Sequence, residues 1–571
     1  MKRHSHFATI CTVVGLVLTA IHITQAGSAT WNLNPSSGDW NTAGNWTPAT
    51  VPNATTDIAT FSISNVLGIS VSAPVEVDSV NFSSGGSGFT ITAQPNETLT
   101  LSGAGITNDS GIIQTFVAAD DGASAFGTFA FANNAAAGSS VQFTSAPSGS
   151  TWGGRINFLD TANAGSGTFI SNGGETTFYG RSSASEATFI NNGNGMAGGF
   201  GGFVAFRESS NADHATLTNN ATLFHSGTVI FYDFASAGHA TITNQGALVG
   251  NFPGDTTFYE NSTAAQSTII GEGSSVSGAK GAYITFAQTS SAGKATVIAN
   301  GGTNGGLGAV VLLEDESNCS NARFILSGNA SILNYNGDRS IGSLEGEGDV
   351  SLFGRNLSIG ANGQNTSFAG VIEDGFASGA SLTKVGLGTL TLSGASTYTG
   401  GTTVAEGTLV VNNTTGSATG TGAIAVAGGT LGGSGIIPGV VTIGTGTGTG
   451  ATLAPGAGAR FPLLFNIQNS LTFKADGTYA PKVYPAKSKA DQVIARAVTI
   501  ESGATFSLRG QGAGIIPPGT VFLLIKNFGF GPIRGNFSNL QDGGTIAVGS
   551  NTFQANYEGG DGNDLTLTVV P

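Results

Sequence analysis

The segment Phe158-Leu-Asp160-Thr-Ala-Asn-Ala164-Gly-Ser-Gly-Thr168-Phe169 holds the pattern that decides the fold. It places a large apolar residue ten positions before a threonine that stands between a small and an apolar residue. The same spacing recurs in seven successive units, whose anchors and partners are Phe158 and Thr168, Phe178 and Thr188, Phe206 and Thr216, Phe231 and Thr241, Phe258 and Thr268, Phe286 and Thr296, and Leu313 and Arg323. The spacing within a unit never changes, whereas the step between units runs from 20 to 28 residues. A constant frame with loops of variable length is typical of a coiled backbone whose turns stack on one another.

The residues around each partner threonine alternate as residues of a strand do. A small residue precedes the threonine, as Gly167 and Ala187 do, and an apolar residue follows it, as Phe169 and Phe189 do. Successive side chains of a strand point to opposite faces, so the small and apolar residues face inward and the threonines face outward. The pattern therefore predicts an all-β protein built as a parallel β-helix, a solenoid.

The composition of the 571-residue chain excludes several classes of protein. Charged residues make up 9% of the chain, against about 25% in ordinary domains. Apolar residues recur on a regular schedule, which excludes a disordered chain. The formal net charge of −14 argues against binding to nucleic acid or to anionic membranes, and it agrees with binding of cations.

The amino terminus has the composition of a secretory signal peptide. Lys2 and Arg3 precede an uncharged apolar run that is short for a membrane-spanning helix, and Ala26 or Ala29 offers a small residue for cleavage. We therefore predict a signal peptide over residues 1–29, a mature chain without a transmembrane span, and a secreted or cell-surface location.

A second kind of repeat lies at residues 382–411. The run Thr397-Tyr-Thr-Gly-Gly-Thr-Thr403, followed by Gly407-Thr-Leu409, resembles the autotransporter-associated β-strand repeat of bacterial passenger proteins, with Ser396 where that family usually has Asn. The resemblance implies a right-handed parallel β-helix that an export machinery carries across membranes, often as a surface or secreted passenger. The residues after Phe461 contain too few alternating strands for an outer-membrane barrel, so we expect a passenger that lacks a barrel translocator.

These patterns divide the chain into five parts. We predict the signal peptide at residues 1–29, a tryptophan-rich N-terminal cap with the first coils at 30–110, a β-helix with repeats of 20–28 residues at 111–335, a Gly/Thr-rich β-helix at 336–460, and a small C-terminal β module at 461–571.

Acidic residues collect at one position of the repeat, two residues after the anchor. The residues at this position are Asp160, Gly180, Glu208, Asp233, Glu260, Gln288 and Asp315. In coils stacked about 4.8 Å apart, the five acids would form a file along one edge, which we name the acid file. Three roles suit it: each acid caps a turn in solvent, the file holds Ca²⁺ between coils, or it lines the groove of a polysaccharide-active lyase or hydrolase, with Arg207 as the neighbouring base or charge clamp.

Tryptophans cluster near the amino terminus. Trp31, Trp40 and Trp46 are separated by turn residues. A solenoid needs its first coil covered, because an open edge recruits other chains, and a tryptophan-rich cap meets this need. The alternative is that the indole rings are exposed and stack on glycans.

Three further motifs have structural explanations that compete with functional ones. Cys319 occupies a position that holds alanine in the other units, which favours a buried small residue over a reactive thiol. His214 and His239 share one face of neighbouring coils, where a metal pair competes with a variable exposed surface. Residues 559–564 resemble half a calcium-binding repeat, and a turn before the last strand is the alternative.

The sequence thus predicts a monomeric, secreted or surface-displayed protein, adhesin-like or structural, without catalytic activity. Its expected partners are glycans or other cell-surface components and the export machinery, and nucleic acid is not expected among them. The alternatives are a polysaccharide-active enzyme and a glycan-binding module. No cofactor is expected, and Ca²⁺ on the acid file is an alternative that the sequence leaves open.

Overall fold

The computed structural model describes residues 27–145, 153–193 and 201–571. Most of the predicted signal peptide, residues 1–26, lies outside the described residues. Within the described ranges the chain is almost wholly β, and its helical segments are the short 3-10 turns Ala43–Asn45 and Pro485–Lys487. No helix in these ranges has the length and apolar character needed to cross a membrane. The strands wind into a parallel β-solenoid of about 18 turns, which confirms the predicted fold class.

The first sheet of the solenoid takes one strand from each coil. Its parallel strands, in chain order, are Ile58–Phe61, Val75–Phe82, Thr98–Asn108, Thr128–Phe131, Arg155–Phe158, Glu175–Phe178, Phe203–Phe206, Thr228–Phe231, Asp255–Phe258, Tyr283–Phe286, Val310–Leu313, Ser331–Asn334, Asp349–Ser351 and Val371–Glu373. The register places Phe158 opposite Phe178 and Phe178 opposite Phe206, so the anchors of the repeat align from coil to coil.

The second sheet contains the partner threonines. Its parallel strands are Gly68–Val71, Thr90–Ala93, Gln114–Ala118, Val141–Ser145, Thr168–Asn172, Thr188–Asn192, Thr216–Asn219, Thr241–Asn244, Thr268–Gly271, Thr296–Ala299, Cys319–Leu326 and Arg339–Gly346. Thr168 lies opposite Thr188, and Thr188 opposite Thr216. A third, narrow column of single bridges runs from Gly105 to Asn318, so each coil in this half of the solenoid has three sides.

Beyond Arg339–Gly346 the second sheet divides into two parallel ladders. One ladder holds Asn356–Ile359, Ser381–Lys384, Gly401–Val404, Ile424–Val426, Val441–Ile443, Ser470–Phe473 and Ala497–Ile500. The other holds Thr366–Phe368, Thr389–Leu392, Thr408–Val411, Gly429–Gly433, Ala451–Pro455, Gly477–Tyr479 and Thr505–Phe506. The two ladders become two sides of the later coils.

The carboxyl-terminal sheet joins the coils to the cap. Its strands, in spatial order, are Ile436–Ile437, Leu464–Ile467, Gln492–Ala495, Val521–Asn527, Asp564–Val570, Asn551–Gly559 and Thr545–Val548, of which the first four pair in parallel and the last four antiparallel. A small sheet places Lys482–Tyr484 between Lys489–Ala490 and Arg509–Gly510. At the opposite end, Ala29–Trp31 pairs with Trp46–Thr47 and with the first coil.

The predicted boundary at residue 461 lies inside the solenoid. Ser470–Phe473 still pairs in parallel with Ala497–Ile500, and Gly477–Tyr479 with Thr505–Phe506. Parallel coils therefore continue to Phe506, and the antiparallel cap follows them. The sequence pattern misses these last coils because the small inserted sheet lengthens them and hides the repeat.

Stacked phenylalanine rings form the core of the three-sided coils. The ring centroids of Phe158 and Phe178 lie 4.6 Å apart with an angle of 5° between the planes, and those of Phe206 and Phe231 lie 4.7 Å apart. These rings are fully buried. Such pairs contribute about 0.5–1.5 kcal/mol each beyond their buried area. The fixed spacing of the sequence repeat is thus the condition for stacking one ring on the next.

Candidate functional site

The acid file lies at the turn that follows each strand of the first sheet. Asp160, Glu208, Asp233, Glu260 and Asp315 all have a φ angle between 52° and 57°. Backbone in this left-handed conformation bends the chain sharply out of the strand, and its N–H group points away from the regular ladder. The acids therefore occupy a turn in which the backbone N–H needs a partner from outside the strand.

Side chains of the next coil supply that partner. The carboxylate of Asp233 accepts a hydrogen bond of 2.8 Å from the N–H of Glu208, and the carboxylate of Glu260 accepts one of 2.7 Å from the N–H of Asp233. Glu208 and Asp315 do the same for Gly180 and Gln288, at 2.7 and 3.0 Å. Asp160 caps the N–H of Asn133 at 2.9 Å. Except at Gly180, which has no side chain, the file is a ladder of side-chain caps that ties each turn to the coil before it.

Gln288 shows which property of these side chains matters. Its amide oxygen accepts a hydrogen bond of 2.9 Å from the N–H of Glu260, in the place of a carboxylate. An acceptor oxygen is sufficient for this role, and a negative charge is not required. In the described parts of the chain, no group of three or more His, Cys, Asp or Glu side chains is placed to hold a metal ion. The geometry supports the turn-capping role, and Ca²⁺ binding by the file stays a prediction.

Arg207 packs against an aromatic ring, which does not fit the role of a catalytic base beside Glu208. Its guanidinium carbon lies 4.3 Å from the centre of the Tyr232 ring, one coil further on. Tyr232 in turn stacks on Tyr259 at 5.6 Å. A guanidinium placed over an aromatic face gains a cation–π contact, so Arg207 belongs to a column of side chains that packs along the turn edge.

The tryptophan cluster covers the first coil from inside. Trp31, Trp40 and Trp46 are only 2, 0 and 1% exposed. The ring centroids of Trp40 and Trp46 lie 5.1 Å apart, and both rings contact Phe61. The indole N–H of Trp40 donates to the carbonyl of Pro52 at 3.1 Å, and that of Trp46 to the carbonyl of Trp40 at 2.8 Å. This packing supports the capping role, and glycan stacking on these rings is wrong because their faces are buried.

For each of the three remaining motifs, the structure favours the structural explanation over the functional one. Cys319 is fully buried, and burial raises the pKa of its thiol to about 12. His214 and His239 are exposed and stack with ring centroids 4.9 Å apart. Gly559 and Asp564 pair at the base of the last turn, and the Asp564 carboxylate accepts a hydrogen bond from the N–H of Asn527.

A groove over the later coils was not predicted from the sequence. It comprises two adjoining depressions of about 330 and 590 Å³ that share Thr389, Val410, Ala457 and Gly458. Its floor is a column of threonines aligned by the strand register, Thr389, Thr408, Thr430 and Thr452. Only the stacking of separate coils aligns these residues.

The wall of the groove is the segment 456–463, which is held at both ends. The ammonium of Lys482 donates to the carbonyls of Gly456 and Ala459, at 3.1 and 3.0 Å. The hydroxyl of Tyr484 donates to the carbonyl of Phe461 at 2.9 Å. The N–H of Leu463 donates to Asp491 at 3.0 Å. These bonds give the groove a preformed shape. We name it the basic groove, because Arg460, Lys482 and Arg509 line it.

A stack of three aromatic rings, of which the outer two are exposed, was also not predicted from the sequence. Tyr335 and Phe353 lie 4.4 Å apart, and Phe376, which is 96% exposed, lies 5.6 Å from Phe353. The stack begins one coil after Asp315, the last residue of the acid file. No spacing signal in the sequence identifies it, because the coils here differ in length from those before.

Comparison with known proteins agrees with the repeat seen in the sequence. Residues 382–411 match the passenger-associated-transport-repeat family. Among solved structures, the crystal structure of the Haemophilus influenzae Hap adhesin is similar to 90% of this chain, with 12% sequence identity and a TM-score of 0.24. The similarity covers 63% of the adhesin chain, which is less than two thirds of its length. A likeness at this level carries no functional conclusion. No curated protein matches the sequence.

Proposed function

We propose that the protein is a secreted or surface-displayed, adhesin-like solenoid that acts by binding and not by catalysis. The observation that carries this proposal is the outer face of the second sheet, which we name the threonine wall. It consists of two columns aligned by the strand register: Thr168, Thr188, Thr216, Thr241, Thr268 and Thr296, and, two residues further along each strand, Ile170, Ile190, Thr218, Thr243, Ile270 and Ile298.

The threonine wall has the properties of a broad contact surface. None of its twelve residues is charged, and its hydroxyls and methyl groups repeat at the strand spacing of about 4.8 Å. Branching at Cβ restricts the side-chain rotamers of Thr and Ile, so little conformational entropy is lost on contact. Many weak contacts repeated along a rigid wall give useful avidity even when each one is weak. The passenger-associated-transport-repeat match at 382–411 supports the surface or secreted location.

The adhesive role is tested by placing charged side chains on the threonine wall. Thr216→Lys and Thr241→Lys are combined, because both residues are exposed. Thr161→Lys and Thr289→Lys, on exposed turns away from the wall, form the matched control. We expect the wall variant to lose binding to a printed glycan array and to intact cells, and the control to retain it. Binding that is equal in both variants would contradict the proposal.

Two further measurements bear on the location and on catalysis. Fractionation of bacteria that express the full chain should place it outside the cytoplasm, and deletion of residues 2–29 should retain it inside. Incubation of the protein with acidic and neutral polysaccharides should release neither unsaturated products nor new reducing ends. Release of either would favour the polysaccharide-active alternative.

A further inference from the structure

The basic groove gathers positive charge in a chain that has little of it. The chain has 20 Lys and Arg against 34 Asp and Glu, yet three basic residues meet at this site. Lys482 lies opposite Arg509 in the small sheet, and its ammonium bonds the carbonyl of Ala459, the residue directly before Arg460. The side chains of Arg460 and Arg509 are exposed, and neither forms an ion pair within the described residues.

No carboxylate competes for these charges inside the groove. None of the residues that line the two depressions is acidic. Asp491 is buried behind the segment 456–463, where its carboxylate accepts hydrogen bonds from the backbone N–H groups of Leu463 and Lys482. Exposed guanidinium groups without partners are suited to bidentate contacts with carboxylate or sulfate groups.

The floor of the groove complements a chain of sugar rings. Its threonines continue over four coils, about 14 Å at the ordinary strand spacing, and each presents a hydroxyl that both donates and accepts. Phe461, which lines the second depression, is 55% exposed and offers an apolar face to a ring. Three basic residues in a chain of net charge −14 suit a polymer of moderate charge density better than nucleic acid.

We infer that the basic groove binds an acidic polysaccharide, with its carboxylate or sulfate groups on Arg460 and Arg509 and its hydroxyls along the threonine floor. The inference rests on the proposed binding function and names the ligand class of a second site, apart from the threonine wall. Lys482 acts as a positioning residue, because its ammonium holds the segment 456–463 in place. Its positive charge also adds to that of the two arginines.

The test compares two double variants with the same change of charge. Arg460→Gln with Arg509→Gln removes the exposed charges of the groove, and Arg181→Gln with Arg355→Gln removes two exposed arginines elsewhere. Binding of the full chain is measured on immobilised polygalacturonate, a sulfated glucan, neutral dextran and single-stranded DNA, at low and high salt. Thermal unfolding of each variant checks that the fold is retained.

We expect the wild type to bind one or both acidic polysaccharides in a salt-sensitive way and to bind dextran weakly. The groove variant should lose about tenfold or more in affinity, the loss of one or two charge-assisted contacts, while the control stays close to the wild type. The uronate and sulfate surfaces distinguish the two kinds of anionic group. Thr430→Glu, which adds a carboxylate to the floor, should reduce binding further without touching an arginine.

Three results would overturn the inference. They are the absence of binding to either acidic polysaccharide, equal losses in the groove and control variants, and tighter binding to single-stranded DNA than to both polysaccharides. None of these removes the adhesive role, because cell binding that depends on Thr216 and Thr241 would remain. Loss of all cell and glycan binding in the wild type would contradict the adhesive role itself.

Discussion

The carboxylate of Asp233 accepts a hydrogen bond of 2.8 Å from the backbone N–H of Glu208, the residue at the equivalent position one coil earlier. The N–H of Asp233 in turn donates to Glu260, one coil later. Each acid thus caps a left-handed turn that is not its own. This relationship explains why acids recur at one position of a chain that has few of them, because the position requires an acceptor that reaches back by one coil.

Asp233→Ala should destabilise the protein by about 1 kcal/mol, because the N–H of Glu208 loses its partner. Asp233→Asn should cost less, since an amide oxygen serves the same role at Gln288. The measurement is the free energy of unfolding in urea. If the alanine and asparagine variants lose equal stability, the capping role of the oxygen is contradicted.

Removal of divalent cations should leave the thermal stability of the protein unchanged, because the acid file does not depend on a bound cation. Backbone N–H groups already occupy one oxygen of Asp160, Glu208 and Asp315, and a neutral amide replaces a carboxylate at Gln288. We expect the thermal unfolding midpoint to be the same with excess chelator and with excess Ca²⁺. A midpoint that rises with Ca²⁺, and that no longer does so in Glu260→Gln, would instead establish the file as a cation site.

Trp40→Ala should destabilise the N-terminal cap by about 3–5 kcal/mol, the usual cost of truncating a buried aromatic ring. Trp40→Phe keeps a ring but removes the N–H that donates to Pro52, so it should cost less. Loss of the cap exposes the first coil, and we expect the alanine variant to form larger species in light scattering. Loss of glycan binding at unchanged stability would instead indicate that the ring is a contact residue.

Cys319→Ala should change the stability by less than about 1 kcal/mol, because the neighbouring coils hold alanine in the same slot. Cys319→Leu should cost about 1–3 kcal/mol, because the slot has no room for the larger side chain. Since burial raises the pKa of the thiol to about 12, the native protein should resist thiol reagents near neutral pH and react after unfolding. Rapid modification of the folded protein would contradict this placement.

The stability should depend on the ionisation of Asp255. Burial raises the pKa of this carboxyl from 3.8 to about 7. Between these values the folded protein holds a proton that the unfolded chain has released, so the free energy of unfolding should fall as the pH rises from about 4 to about 7. Asp255→Asn should remove this part of the pH dependence, and Glu186→Gln, at an exposed acid, should preserve it. Urea unfolding over this pH range measures the difference.

The fold could be predicted because its periodicity is local. The ten-residue frame from Phe158 to Thr168 is visible in one coil, and its recurrence at variable intervals requires stacking. The same frame placed Cys319 in a buried slot and put His214 and His239 on one exposed face. The predicted domain boundary at residue 461 was wrong, because the inserted small sheet interrupts the repeat in the last coils.

The sequence by itself determined the solenoid, the inward and outward faces of its strands and the position of the acid file, because all three follow from spacing along one chain. Only the tertiary structure decided what these residues do. The partner of Asp233 lies 25 residues away at Glu208, the faces of three tryptophans turn inward, and Arg509 aligns with Lys482 only through strand pairing. Such contacts depend on the lengths and paths of the loops between coils, which side-chain periodicity does not encode.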